Sequence, residues 1–146
     1  MIVGYAAGAF DLFHVGHLNI LRQAKMRCDF LIAGVVSDER ILESKGFSPV
    51  IPTLERAEIV QHISYVDQVF IETSANRLDT WNEVKFDVFF KGDDWKGTEK
   101  GIELERMFAS VGVRTEYFPY TVHTSSTRLR SALDAMTPKV PRALKA

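Results

Sequence analysis

Seven apolar residues in unbroken succession, Phe30-Leu31-Ile32-Ala33-Gly34-Val35-Val36, set the strongest limit on the fold. A strand with one wet face alternates apolar and polar residues. A continuous run belongs to a strand covered on both faces. Ile2 to Ala7, Gln68 to Ile71, Val88 to Lys91 and Arg114 to Phe118 read as four further short strands. Helical spacing fills the intervals. Val15 to Met26 carries Leu18, Leu21 and Ala24, and Ser37-Asp38-Glu39 leads into a short helical stretch. Thr53-Leu54-Glu55-Arg56 opens another helix, with Thr53 as its expected cap and Ala57, Ile59, Val60 and Ile63 as its apolar stripe. Ile102 to Val111 separates the last two strands, and Ser126 to Ala135 reads as a final helix capped by a hydroxyl residue. Short strands alternating with helical patterns predict an α/β chain: a doubly wound, Rossmann-like, five-stranded parallel sheet with helices on both faces.

Length and composition narrow the class further. A chain of 146 residues builds one domain with a proper core. Residues 1–136 are expected to form it. Residues 137–146, with Pro138, Lys139, Pro141, Arg142 and Lys145, are expected to be a flexible basic tail. A net charge of −1 gives no positive field for nucleic acid, and the apolar runs are too short for membrane insertion. The single cysteine, Cys28, excludes an internal disulfide and reads as a helix-end residue. The N-terminus lacks the marks of a secretory signal, so a cytoplasmic location is expected. Lys45 to Pro52 holds Gly46, Pro49 and Pro52 and is expected to be a mobile loop. Trp81 has no motif around it and is expected in the core.

The chemistry concentrates in Gly8-Ala9-Phe10-Asp11-Leu12-Phe13-His14-Val15-Gly16-His17, where the first strand hands over to the first helix. In open α/β sheets ligands bind beyond the carboxyl ends of the strands, and a helix N-terminus there favours anions. His14 and His17 are placed to donate to phosphoryl oxygens. The bland alternative is two unrelated polar residues at a helix start. A zinc pair fits less well, because helical ligands prefer a spacing of four and no partner pattern accompanies these two.

The decapeptide as a whole resembles the signature of the nucleotidyltransferase superfamily that includes the cytidylyltransferases, Gly-Thr-Phe-Asp followed by His-x-Gly-His. Phe10, Asp11, His14, Gly16 and His17 match, and Ala9 stands where the family has Thr. Val35-Val36-Ser37-Asp38-Glu39 is similar to the family's second strand and its Ser-Asp-Glu end. Lys45-Gly46 with Pro49-Val50 resembles its lysine-bearing loop, and Glu55-Arg56 the Glu-Arg of the next helix. Tyr65-Val66-Asp67-Gln68-Val69 resembles Tyr-Val-Asp-x-Val. Lys91-Gly92-Asp93-Asp94-Trp95 is similar to the Gly-Asp-Asp-Trp of bacterial glycerol-3-phosphate cytidylyltransferases. The last motif, Arg-Thr-x-Gly-Ile-Ser-Thr-Thr, is altered. Tyr120 replaces its arginine and His123 its glycine, while Thr124, Ser125, Ser126 and Thr127 keep the hydroxyl cluster.

The resemblance implies transfer of a nucleotidyl group, CMP from CTP in preference to AMP from ATP, to a small phosphorylated alcohol such as glycerol 3-phosphate. It implies His14, His17 and Lys45 as catalytic residues. Ala9, Phe10, Asp11, Gly16, Lys91, Gly92, Asp93, Asp94, Trp95 and Thr124 to Thr127 would bind the nucleotide, with Trp95 stacking on the base. Asp38, Arg56, Arg128 and Arg130 would contact substrate, with Arg128 or Arg130 compensating for the lost arginine. Mg²⁺ would sit mainly on phosphates, with Asp11 as the nearest carboxylate. That carboxylate can instead orient the loop through backbone amides. Arg56 can likewise pair locally. A homodimer is expected, with its interface near Tyr65-Val66-Asp67. The alternatives are an adenylyltransferase of the same fold and a nucleotide-binding regulator without turnover.

Overall fold

The computed structural model describes residues 1–120 and 123–137. The basic tail therefore lies outside the described residues, apart from Thr137. Five parallel strands form one sheet: β1 (Val3–Gly8), β2 (Phe30–Val36), β3 (Gln68–Glu72), β4 (Val88–Gly92) and β5 (Arg114–Phe118). Their order is β3-β2-β1-β4-β5. The helices are α1 (Val15–Lys25), α2 (Asp38–Lys45), α3 (Thr53–Gln61), α4 (Arg77–Val84), α5 (Glu99–Ala109) and α6 (Ser126–Met136). A single 3₁₀ turn, Asp93–Trp95, follows β4.

Alternation along β1 divides the core in two. Ala6 packs with Leu21 and Ala24 of α1, Ala57 and Val60 of α3, and Phe90 and Phe118. Tyr5 points the other way, among Ile32, Phe86, Phe89, and Leu104 and Phe108 of α5. Both faces are covered, which is why β2 needs no polar residue. Trp81 packs against the second cluster as expected, and its Nε1 donates to the Phe86 carbonyl at 3.1 Å. The helix that carries it, α4, goes unread in the sequence. It is eight residues long and mostly polar, and Asn76 caps it by accepting from the Leu78 amide.

Three aspartates ahead of strands set the register at the amino edge. Asp29 accepts from the Ile2 amide, Asp87 from Val3 and Asp67 from Leu31. Asp67 is further tied to Lys25 at 2.6 Å. At the opposite edge the chain reverses. From β1 it runs outward through β2 to β3, and from β4 outward to β5. The gap between β1 and β4 is thus the switch point where ligands bind in such sheets.

Candidate active site

A cleft of about 540 Å³ opens at that switch point. Its floor is the loop after β1, where Phe10 and Leu12 both take φ of 53°. Two non-glycine residues in the left-handed region store strain of roughly 1–3 kcal/mol each, a feature that concentrates at functional sites. The loop ends at His14, the cap of α1. His14 Nδ1 accepts from the Gly16 amide at 3.0 Å, and His17 Nδ1 accepts from the His14 amide at 3.2 Å. An Nδ1 that accepts cannot carry the proton of a neutral ring, so both rings hold it on Nε2. Both Nε2 atoms lie 3.4 Å from Ser126 Oγ, which itself donates to the Asp11 carbonyl at 2.6 Å. Ser126 comes from α6, whose cap Ser125 accepts from the Arg128 amide. His14, His17, Ser126 and Thr127 thus face one another across a single cleft, as the sequence predicts.

The two rings stack with centroids 4.0 Å apart, and Phe10 and Phe13 flank His17. Burial pushes His17 down to about 3, with help from His14 and against the pull of Asp11; burial also lowers His14. Near neutral pH the pair is therefore uncharged and offers two convergent N–H donors.

Asp11 is fully buried. Its two oxygens accept from the amides of Val50 and Ile51 at 2.9 Å, and one also meets Arg130 Nη1 at 3.3 Å. It orients the loop between α2 and α3, one of the two roles left open by the sequence. With its carboxylate so engaged, Asp11 does not fit a divalent cation. The same contacts correct the expectation of a mobile loop from Lys45. Lys45 is the last residue of α2, Gly46 caps it at φ 78°, and the segment beyond is tethered. Lys45, Phe47 and Pro49 line the cleft, and the Arg130 guanidinium lies 4.5 Å over the Phe47 ring.

Two expected substrate contacts face elsewhere. Arg56 is buried within the protein. Its guanidinium donates to the carbonyls of Ile51, Ala9 and Val36, to Asp38 Oδ1 at 2.7 Å and to Thr53 Oγ1. Every arm is engaged, so Arg56 holds the loop ends together and has none left for a ligand. Asp38 forms the other half of the clamp. Burial acts to raise its carboxyl, but hydrogen bonds from Arg56 and Thr53 hold it below its ordinary value. Thr53 is not the cap of α3. Pro52 takes that position, and the Thr53 hydroxyl accepts from the Asp38 amide instead.

At the β4 end, Lys91, Gly92 and Asp94 line the cleft, while Asp93 and Trp95 do not. The 3₁₀ turn swings the indole onto the second core cluster, and Lys91 Nζ sits 4.0 Å over its ring. Trp95 thus packs beneath Lys91, outside the lining of the cleft. From α6 come Thr124 to Thr127 and Arg130; Arg128 is exposed and outside the lining. Tyr120, which the sequence marks only as a lost arginine, also lines the cleft. Its one signal is position: two residues beyond β5, at the same sheet edge.

Three cations, Lys45, Lys91 and Arg130, face the cleft beside the N-terminus of α6, a setting for polyanions. Residues 5–132 match the family model described as cytidylyltransferase-like. The chain belongs to the cytidylyltransferase-like family, a family of nucleotidyltransferases. The ethanolamine-phosphate cytidylyltransferase of Arabidopsis thaliana is 40% identical over 95 residues, 62% of this chain but 22% of that enzyme's length. The FAD synthase of Pyrococcus horikoshii is 32% identical over 133 residues, covering 89% of this chain and 88% of that protein. The crystal structure of a lipopolysaccharide core biosynthesis protein from Thermoplasma volcanium superposes with a TM-score of 0.71 at 26% identity, covering 85% of this chain and 99% of that one. Among the described residues no helix is long and apolar enough to cross a membrane.

Proposed function

We propose that this protein transfers a nucleoside monophosphate from a nucleoside triphosphate to a phosphate monoester of a small alcohol, releasing pyrophosphate. The observation that carries the reading is the pair of neutral imidazoles, tautomer-locked by backbone amides, whose N–H groups converge on one point of a cationic cleft. An oxygen of the acceptor phosphate attacks the α-phosphorus. The bond from that phosphorus to the bridging oxygen breaks, and pyrophosphate leaves with the electron pair. The acceptor oxygen is already anionic, so no side chain needs to remove a proton. The obstacle is the meeting of two anions, which positioning and charge stabilisation overcome.

His14 and His17 exchange their contact with Ser126 for the phosphoryl oxygens on which charge grows. Lys45 and Lys91 approach with positive charge, and the free amides of α6 hold phosphate with Ser126 and Thr127. Mg²⁺ is proposed as the counter-ion of the triphosphate, carried on phosphate oxygens. CTP is the favoured donor because Lys91-Gly92-Asp93-Asp94-Trp95 resembles the Gly-Asp-Asp-Trp of cytidylyltransferases, and a cytidylyltransferase among the relatives supports it. The similarity to an FAD synthase over nearly its whole length supports ATP as the second reading. The name of the ethanolamine-phosphate cytidylyltransferase supports a phosphate monoester as the acceptor class. Pyrophosphate release from CTP and from ATP, with a panel of phosphorylated alcohols including glycerol 3-phosphate, tests the proposal. Release with CTP supports the first donor and release with ATP the second. Tight nucleotide binding without release under any pairing contradicts the transfer reading and leaves a nucleotide-binding regulator.

A further inference from the structure

With Trp95 packed against the second core cluster and outside the cleft lining, the cleft needs another surface for the base. Tyr120 is 60% exposed and lies across the end of β4. A methyl group added at Gly92 would meet its phenol oxygen, so the ring lies directly against that backbone. The phenol donates to Asp94 Oδ1 at 3.3 Å, and among the described residues nothing else hydrogen-bonds that carboxylate. Burial and the neighbouring Asp94 push the phenol up to about 12, so it stays protonated as a donor.

We infer that Tyr120 is the stacking platform for the nucleobase and that Asp94, fixed by the phenol, selects cytosine and adenine over uracil by accepting from their exocyclic amine. This rests on the nucleotidyl-transfer reading and supplies its base subsite. The geometry puts a flat aromatic face and one uncommitted carboxylate oxygen side by side at the cleft wall. Aromatic faces accept any base, so the ring gives affinity without choice. The carboxylate gives the choice. Ionised, it only accepts hydrogen bonds. Cytosine and adenine offer an amine to it, whereas uracil presents a carbonyl oxygen at the corresponding position and is repelled. The altered last motif thus replaces an arginine with a base-reading aromatic.

Calorimetry on the full chain with Mg²⁺ tests this, using CTP, ATP, UTP and inorganic tripolyphosphate as probes. Wild type is expected to bind CTP and ATP roughly ten- to one-hundred-fold more tightly than UTP. Tyr120→Leu weakens CTP and ATP by roughly ten- to one-hundred-fold but shifts tripolyphosphate by less than about twofold. Tyr120→Phe keeps the ring and retains most of the affinity for CTP and ATP. Asp94→Asn, whose amide can also donate, brings UTP to within about threefold of CTP. Equal loss of CTP and tripolyphosphate in Tyr120→Leu, or no loss of either, overturns the stacking role. A wild type that binds UTP as well as CTP overturns the role of Asp94. A wild type that binds tripolyphosphate and no nucleotide overturns the transfer reading itself.

Discussion

Arg56→Met separates a structural clamp from a substrate contact. Methionine matches the arginine stem in length and keeps the apolar packing, but it removes all five hydrogen bonds. Three carbonyl oxygens, of Ala9, Val36 and Ile51, are then left without their donor in a buried place. Each such acceptor costs roughly 1–3 kcal/mol, and breaking a buried ion pair costs roughly 3–5 kcal/mol. These contributions overlap. Asp38, a third exposed, recovers water when its partner is lost, so its share is small. A net loss of about 4 kcal/mol is expected, a large part of the ~5–15 kcal/mol that holds a domain folded. At ~2–4 °C per kcal/mol for a chain of this size, the thermal midpoint falls by roughly 8–16 °C. Thermal and urea unfolding measure it, with acceptor KM followed in parallel. Arg56→Lys, which keeps the charge but not the fork, is expected to fall about halfway. A midpoint within about 2 °C of wild type, together with a much raised acceptor KM, refutes the clamp and restores Arg56 to the substrate.

Other expectations follow from the same geometry. Because His17 is uncharged well below neutrality and burial lowers His14 in the same direction, the acid limb of kcat/KM is expected to follow the acceptor's second ionisation, near pH ~6 for a phosphate monoester. It should move with acceptors of different acidity; a limb that stays fixed for all of them contradicts neutral histidines. Stability carries the opposite face of that shift. The folded pKa of His17 lies below the unfolded value, so its contribution is whole above about pH 6.5 and declines on acidification toward about 3. Urea titrations at pH 7.5 and 5 should show a loss in wild type that is smaller in His17→Gln. Gly34→Ala would drive a methyl into the buried Tyr5 phenol, which is held by Glu72 at 2.6 Å, and should destabilise by roughly 1–3 kcal/mol in urea. Exposed Leu54 and Ile59 on α3 leave apolar surface for a second copy, so sedimentation should give about twice 16.5 kDa at micromolar concentration; a monomer alone contradicts the homodimer.

What the sequence disclosed was whatever is encoded locally. The five strands are short runs bounded by polar residues, and the five helices it marks lie within a few residues of their predicted places. His14, His17 and Ser126 were legible because a strand-to-helix handover and a hydroxyl-capped helix each announce a sheet edge. The fates of Arg56 and Trp95 were not. Nothing in Glu55-Arg56 records that three carbonyls from distant segments converge on that guanidinium. The stretch from Gly92 to Trp95 reads as a turn into the cleft, but a 3₁₀ turn rotates successive residues by a third of a circle, which sends Asp94 inward and the indole away. Tyr120 was marked by what it replaces, and its placement on Gly92 depends on a contact across 28 residues of chain. The helix α4 escaped because its apolar residues, Leu78, Trp81 and Val84, are too few to show a stripe above its polar ones.

Pyrophosphate release by His17→Ala under saturating nucleotide and acceptor tests the central claim most directly. Loss of a donor that acts mainly in the transition state costs roughly 3 kcal/mol, so kcat should fall ~10²- to 10³-fold. Nucleotide affinity, read by calorimetry on the same folded variant, should stay within about threefold of wild type. A folded His17→Ala protein that releases pyrophosphate at a near-normal kcat would contradict the assignment of the converging imidazoles as the centre of the reaction.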